Sequence, residues 1–279
     1  MNIDNFLSSA FNYAETSKRT YRATIIPILS QVSNPAALCA ADLIQLITQS
    51  GWGNSRQCVA LAAIKKYLAW NYGNHHPALD AKIKRIVGKP QRSLDPETAI
   101  KLLASFNTYT AKGARDLAIC SLDLDTGLRA SELCRLQQSD TDLDKRVLQV
   151  LVKGGQWKAA IFSAETAEHI RHWMNYRTIA DGQGNLFTNI HTGKGLTPEG
   201  LNTIVKAWGE NIGIKLSPHD MRRSFATLAT IMGAPERILM DGGRWSNTDM
   251  IVRYTRTLKL ETMRQYLPVA GLLNHDYNT

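Results

Sequence analysis

The 279-residue chain reads as a mainly α protein in two helical parts, the second carrying a small antiparallel β-sheet. Three observations lead there. Apolar residues recur at helical spacing along most of the length. One stretch, around residues 147–162, switches to a β-rich pattern broken by Gly154-Gly155. A segment of Gly, Pro and basic residues, GKPQRSLDPET at 88–98, separates a strongly basic first third from the remainder. The expected organisation is therefore a first helical domain at 1–88, a linker at 89–96 and a second domain at 97–279.

The elements follow in order. Residues 17–31 place Tyr21, Ile25, Ile26 and Leu29 at helical spacing after a Ser/Thr start. Residues 40–49 and 55–71 repeat the pattern, the latter with Val59, Leu61, Ala62, Ile64, Leu68 and Trp70. Lys65 and Lys66 sit in that third helix, and Lys82, Lys84 and Arg85 follow Pro77. Asp95-Pro96-Glu97 is a helix start with proline at the first helical position. Helices are expected at 96–106 and 113–124. Val147, Leu148, Val150, Leu151 and Val152 form a strand that stops at the glycine pair, and Ala159–Phe162 returns beside it as a hairpin. Further helices are expected at 164–178, 197–211, 219–232, 234–241 and 247–256.

Composition narrows the class. An apolar share of 44% supports a sizeable core. No stretch approaches the roughly 20 apolar residues that span a bilayer. The start, MNIDNFLSSAFNYAETSKR, has no basic region leading into an apolar run, so no signal peptide is expected. Cys39, Cys58, Cys120 and Cys134 form no C-x-x-C pair and suit a reducing compartment, which points to the cytoplasm. The net charge of +9 is uneven: residues 1–92 hold 11 Lys and Arg against 4 Asp and Glu, and residues 93–279 hold 22 against 20. A basic first third suggests a polyanionic partner, since each neutralised phosphate releases condensed counterions. A merely soluble basic surface is the plainer alternative.

Four clusters carry candidate chemistry. Thr126-Gly127-Leu128-Arg129-Ala130-Ser131-Glu132-Leu133 offers a glycine turn, then Arg129 and Glu132 three apart on one face of a new helix. Lys153 stands at the hairpin turn. Ser217-Pro218-His219-Asp220-Met221-Arg222-Arg223 places His219 and Arg222 on one face near a helix N-terminus, which favours anions. Gly242-Gly243-Arg244-Trp245-Ser246-Asn247 precedes Tyr254. Alone, each is ordinary surface or packing chemistry. His169 and His172, with Glu165 and Glu168, imitate a metal cluster, but a solvated amphipathic face explains them and no metal is expected.

Together the clusters resemble the catalytic domain of the tyrosine recombinase (phage integrase) family. TGLRASEL matches the first arginine box, HDMRRSFAT the H-x-x-R box and GRWSNTDMIVRYTR the terminal box, with Trp245 23 positions after Arg222 and Tyr254 9 after Trp245. The basic helical first third is similar to the family's core-binding domain. The resemblance implies double-stranded DNA as partner, a homotetramer on DNA from a monomer or weak oligomer, and no cofactor. It implies Arg129, Lys153, His219, Arg222, Trp245 and Tyr254 as catalytic residues, with Glu132 orienting Arg129. Most members carry His where this chain has Trp245, and a subset carries Trp. Lys158 is the alternative to Lys153, because KGGQWK departs from the common K-G-x-x-K form. Lys18, Arg19, Arg22, Lys65, Lys66, Arg223 and Arg244 are the expected DNA contacts. The apolar tail with Leu258, Leu260, Met263, Tyr266, Leu267 and Val269 either docks on a neighbouring protomer, as is common in the family, or packs on its own domain. Two alternatives share these boxes: a type IB topoisomerase-like enzyme that nicks and reseals, and a non-catalytic DNA-binding relative.

Overall fold

Helix starts set by side-chain caps frame most of the second half of the chain, and aromatic packing frames the first. The computed structural model describes residues 2–9, 13–86, 92–152, 155–180, 182 and 184–245. The chain divides into two units, Met1–Gly88 and Lys89–Thr279.

The first unit holds α1 (Ile3–Ser8), α2 (Glu15–Leu29), α3 (Ala40–Gln49) and α4 (Asn54–Tyr72). Ile25 and Ile28 of α2, Leu43 and Ile47 of α3, and Ile64 and Leu68 of α4 are fully buried together. The periodicity placed α2 at 17–31. The helix begins two residues earlier and ends at Leu29, two residues past Pro27, which withdraws a backbone donor from the last turn. α1 was not foreseen, because six residues are too few to show a period. Its Phe6 is wholly buried, edge-on to Tyr67 with ring centroids 5.5 Å apart.

The second unit begins with α5 (Pro96–Ala104), α6 (Ala111–Thr126) and α7 (Ala130–Leu133). Asp95 caps α5 by accepting the Thr98 N–H at 2.8 Å, and Thr110 caps α6 by accepting the Gly113 N–H at 3.1 Å. Next come β1 (Thr141–Asp142), β2 (Val147–Val152) and β3 (Gln156–Ile161), an antiparallel sheet in the order β1-β2-β3. Leu148 and Val150 of β2 face the core, while Gln149 and Leu151 face out. The returning strand was expected from 159. It starts at Gln156, because Gln156–Lys158 are held by backbone pairing with β2 and carry no apolar pattern to betray them. Helices α8 (Ala164–Met174), α9 (Pro198–Ile212), α10 (Pro218–Ile231) and α11 (Glu236–Gly243) complete the unit. α8 stops at Met174 instead of 178. The buried Trp173 donates its indole N–H to the Leu186 carbonyl at 2.9 Å, and the chain turns away beyond it. The helix expected at 247–256 lies outside the described residues.

α6 is the axis of this unit. Ala118, Ile119, Cys120 and Leu122 are fully buried, in one core with Leu102, Ile170, Trp173 and Met221. Its end decides the geometry that follows. Gly127 adopts φ +54°, and a Cβ there would lie 2.5 Å from Cδ1 of Phe225 on α10. Only glycine permits both the left-handed turn and that approach. Gly127→Ala should lose about 1–2 kcal/mol to the backbone and about 1–3 kcal/mol more to crowding. Gly155→Ala, where φ is +78° and nothing lies within 4 Å, meets the backbone strain alone. Urea midpoints of the two variants check the difference. Among the described residues no helix is long and apolar enough to cross a membrane.

Candidate active site

The Gly127 turn leaves Leu128 in the core and sets Arg129 as the N-cap of α7, with Glu132 at its third position. Glu132 is 4% exposed. Its Oε2 accepts the Arg129 backbone N–H at 3.0 Å and its Oε1 accepts the Arg129 Nη1 N–H at 2.6 Å. One carboxylate thus caps the helix and fixes a guanidinium, while the Arg129 side chain stays 41% exposed.

α10 supplies the second arginine. Ser217 accepts the Asp220 backbone N–H at 3.3 Å and donates its hydroxyl to Asp220 Oδ2 at 2.6 Å, which defines the helix start. His219 is exposed in the first turn, and Arg222, three residues on, is buried on the same side of the helix. Arg222 donates from Nη1 to the Gly127 carbonyl and from Nη2 to the Gly243 carbonyl, the latter at 2.6 Å. Its guanidinium lies 4.9 Å from the ring centroid of the buried Trp245. Arg222 therefore clasps the turn that bears Arg129 to the end of α11, which bears Trp245.

Two further buried groups close the cluster. Arg244 donates to the Gly242 carbonyl at 2.8 Å and to the Thr126 carbonyl at 3.0 Å, and lies 3.8 Å from Glu132 Oε2. Desolvation lowers its pKa from the ordinary arginine value, against the pull of Glu132. Asp123, one turn before the end of α6, is 2% exposed. Burial pushes its carboxyl up to about 8, against the pull of Arg222 and Arg244, and Glu132 raises it further. The guanidinium groups of Arg129, Arg222 and Arg244 thus gather around the carboxyl groups of Glu132 and Asp123. The excess positive charge suits an anionic phosphate.

The structure thus brings together Arg129, Glu132, Arg222 and Trp245, with His219 one turn from Arg222. Lys153 and Tyr254 lie outside the described residues. Lys158 is exposed on β3, opposite Val150. Sequence reasoning missed Asp123; the only available signal was an acid set between the apolar Leu122 and Leu124 of α6.

The expected DNA contacts divide. Lys18, Arg19 and Arg22 line one groove on α2 with Ile26 and Pro27, although Lys18 pairs with Glu15 and Arg22 with Asp4. Lys66 lies 3.3 Å from the Tyr21 hydroxyl and 5.6 Å from the Tyr13 ring centroid. Lys65 donates to the Ala81 carbonyl at 3.0 Å, so its charge is partly spent on its own backbone. Arg223 pairs with the buried Asp220 at 3.0 Å and is 12% exposed. Arg244 needs correction as a surface contact: its side chain is 1% exposed and its guanidinium is turned inward. His169 and His172 also separate, the first bonded to Ser121 at 2.8 Å and the second to the Thr108 carbonyl at 2.8 Å.

Known proteins share this arrangement of chain. The tyrosine recombinase XerC of Haemophilus ducreyi is 28% identical over 210 residues, 72% of this chain and 68% of that protein. The tyrosine recombinase XerA of Pyrococcus horikoshii is 26% identical over 258 residues, 91% of this chain and 87% of that one. Among solved structures, the XerH site-specific recombinase bound to a palindromic difH substrate matches with a TM-score of 0.75 at 18% identity, covering 95% of this chain and 83% of that one. The Tn1549 transposon integrase in complex with transposon right end DNA matches with a TM-score of 0.74 at 17% identity, covering 97% and 100%. These two likenesses establish the fold. The family model described as "Phage integrase family" matches residues 92–261, a span that holds every box from Arg129 to Tyr254. With more than half of its length fitted by that model, the chain belongs to the phage integrase family.

Proposed function

We propose that the chain is a site-specific tyrosine recombinase that cleaves and rejoins double-stranded DNA through a 3′-phosphotyrosyl intermediate. The observation that carries this reading is the clasp: Arg222 bonded to the Gly127 and Gly243 carbonyls, beside an Arg129 held by Glu132. Residues 1–88 act as the core-binding domain, 89–96 as the linker and 97–279 as the catalytic domain. The protein works in the cytoplasm as a homotetramer on DNA, assembled from monomers or weak oligomers.

A phosphodiester resists attack because its negative oxygens repel nucleophiles. Arg129 offers a partly exposed guanidinium to one such oxygen, and Arg222 and Trp245 form the floor beneath. His219 takes the proton of the Tyr254 phenol or hydrogen-bonds the phosphate. The phenol, with a pKa of about 10, attacks and later leaves more readily than an alkoxide. The new ester conserves the bond energy of the backbone, so a 5′-hydroxyl from a second duplex reverses the step without a nucleotide cofactor. Lys153 protonates the departing 5′-oxygen, help worth roughly 10²–10⁴ in rate. Lys153→Ala should cleave slowly and recover with a 5′-bridging phosphorothiolate, whose thiolate leaves without a proton. Recovery by Lys158→Ala instead would transfer the role to that residue.

The function is tested in two steps. A library of duplexes with random cores and a nick is incubated with the wild-type chain, and the covalently captured sequences are read. Two duplexes of different length bearing the captured sequence are then mixed with the protein. Exchanged products are expected. Relaxation of a plasmid carrying the sequence, with no exchanged products, would favour the topoisomerase-like alternative, and binding with no covalent capture the non-catalytic one.

A further inference from the structure

Arg244 is a buried arginine that the proposed chemistry leaves without a task. Its backbone sits at φ +54°, and among the described non-glycine residues only Arg146 shares a positive φ. Such a conformation persists in a large side chain only when surrounding contacts hold it there. Here they are specific. One guanidinium nitrogen binds the Gly242 carbonyl and the other reaches across to the Thr126 carbonyl, the last residue of α6. The same nitrogen lies 3.8 Å from Glu132 Oε2, the oxygen that accepts the Arg129 backbone N–H.

Glu132 therefore stands between two arginines of unequal exposure, Arg129 at 41% and Arg244 at 1%. A buried carboxylate with only Arg129 as counter-charge would draw that guanidinium inward and spend it. A second, buried cation 3.8 Å from Glu132 Oε2 shares the charge of that carboxylate. Arg129 is then tethered by one edge and presented outward. The contact with Thr126 also ties residues 242–245 to the start of the Gly127 turn, alongside the Arg222 clasp.

We infer that Arg244 is a positioning residue, which holds Glu132 so that Arg129 is presented to the phosphate and locks the residues around Trp245 to the end of α6. The inference rests on the recombinase reading, and the two fail separately. Arg244→Gly is the informative substitution, because glycine accepts φ +54° without strain, so the side chain is lost with no backbone penalty added. Arg244→Lys keeps the charge without the two-armed fork.

Single-turnover capture is measured on the nicked duplex selected above, at saturating protein and at a temperature where circular dichroism shows each variant folded. Affinity for the intact duplex is read in parallel. Arg244→Gly is expected to slow capture about 10²-fold, as misplaced groups do, with duplex affinity unchanged. Arg244→Lys recovers part of the rate. In a Glu132→Gln background Arg244→Gly has a smaller effect, because the part that runs through Glu132 is already lost. A wild-type rate in Arg244→Gly, or an undiminished effect in the Glu132→Gln background, overturns the inference and leaves the recombinase reading standing. A wild-type chain that captures no duplex from the library overturns both.

Discussion

Tyr254→Phe is expected to remove covalent capture of DNA and leave binding intact. Phenylalanine keeps the aromatic ring and loses only the hydroxyl assigned as the nucleophile, so the change isolates chemistry from fold. Loss of a nucleophile in enzymes that form covalent intermediates lowers turnover on the order of 10⁶, which places the variant below detection. Tyr254 lies outside the described residues, and its assignment rests on the terminal box, within the span 92–261 that the family model matches. Denaturing gels of the nicked duplex with wild-type and variant protein read the result. A shifted band that survives in the variant would move the nucleophile elsewhere.

Arg222→Lys is expected to lower single-turnover cleavage by about 10²-fold, the size of loss that follows when a loosened support misplaces the groups that meet the phosphate, here Arg129 and Trp245. An ammonium keeps the charge but cannot reach the Gly127 and Gly243 carbonyls together, nor stack on Trp245 as a plane does. The same substitution should destabilise the fold by about 2–4 kcal/mol, since buried carbonyls lose charged partners. Urea unfolding gives the second number independently of the first. Equal stability with lost cleavage would mean that Arg222 serves the phosphate and the clasp is incidental.

What the sequence made legible follows from how locally each feature is encoded. The capped helices α5 and α9 carry proline at the first helical position and a capping Asp95 or Thr197, all visible as letters. β2 was legible because Val147, Val150 and Val152 crowd β-branched letters just before the glycine pair. β3 begins with the mixed letters Gln156, Trp157 and Lys158, and α1 is less than two turns, fixed by Phe6 against Tyr67, so neither had a local signature. At the site, Arg129 with Glu132 and His219 with Arg222 are three-residue spacings that a helix converts into a shared face. Their convergence through the Gly127 turn depends on contacts 95 residues apart, as in the bond from Arg222 to the Gly127 carbonyl. Arg244 misled for a physical reason. A basic side chain in a basic protein suggests surface, and nothing in the letters reveals a left-handed backbone that turns it inward. Asp123 was hidden likewise, because burial between arginines exists only after folding.

The chemical identity of the protein–DNA bond bears most directly on all of this. Digestion of the captured adduct with protease and nuclease, followed by mass spectrometry, should find one nucleotide phosphate on the phenolic oxygen of Tyr254, with the other DNA end a free 5′-hydroxyl. A phosphate on any other side chain, or a free 3′-hydroxyl opposite a protein-linked 5′ end, would contradict it.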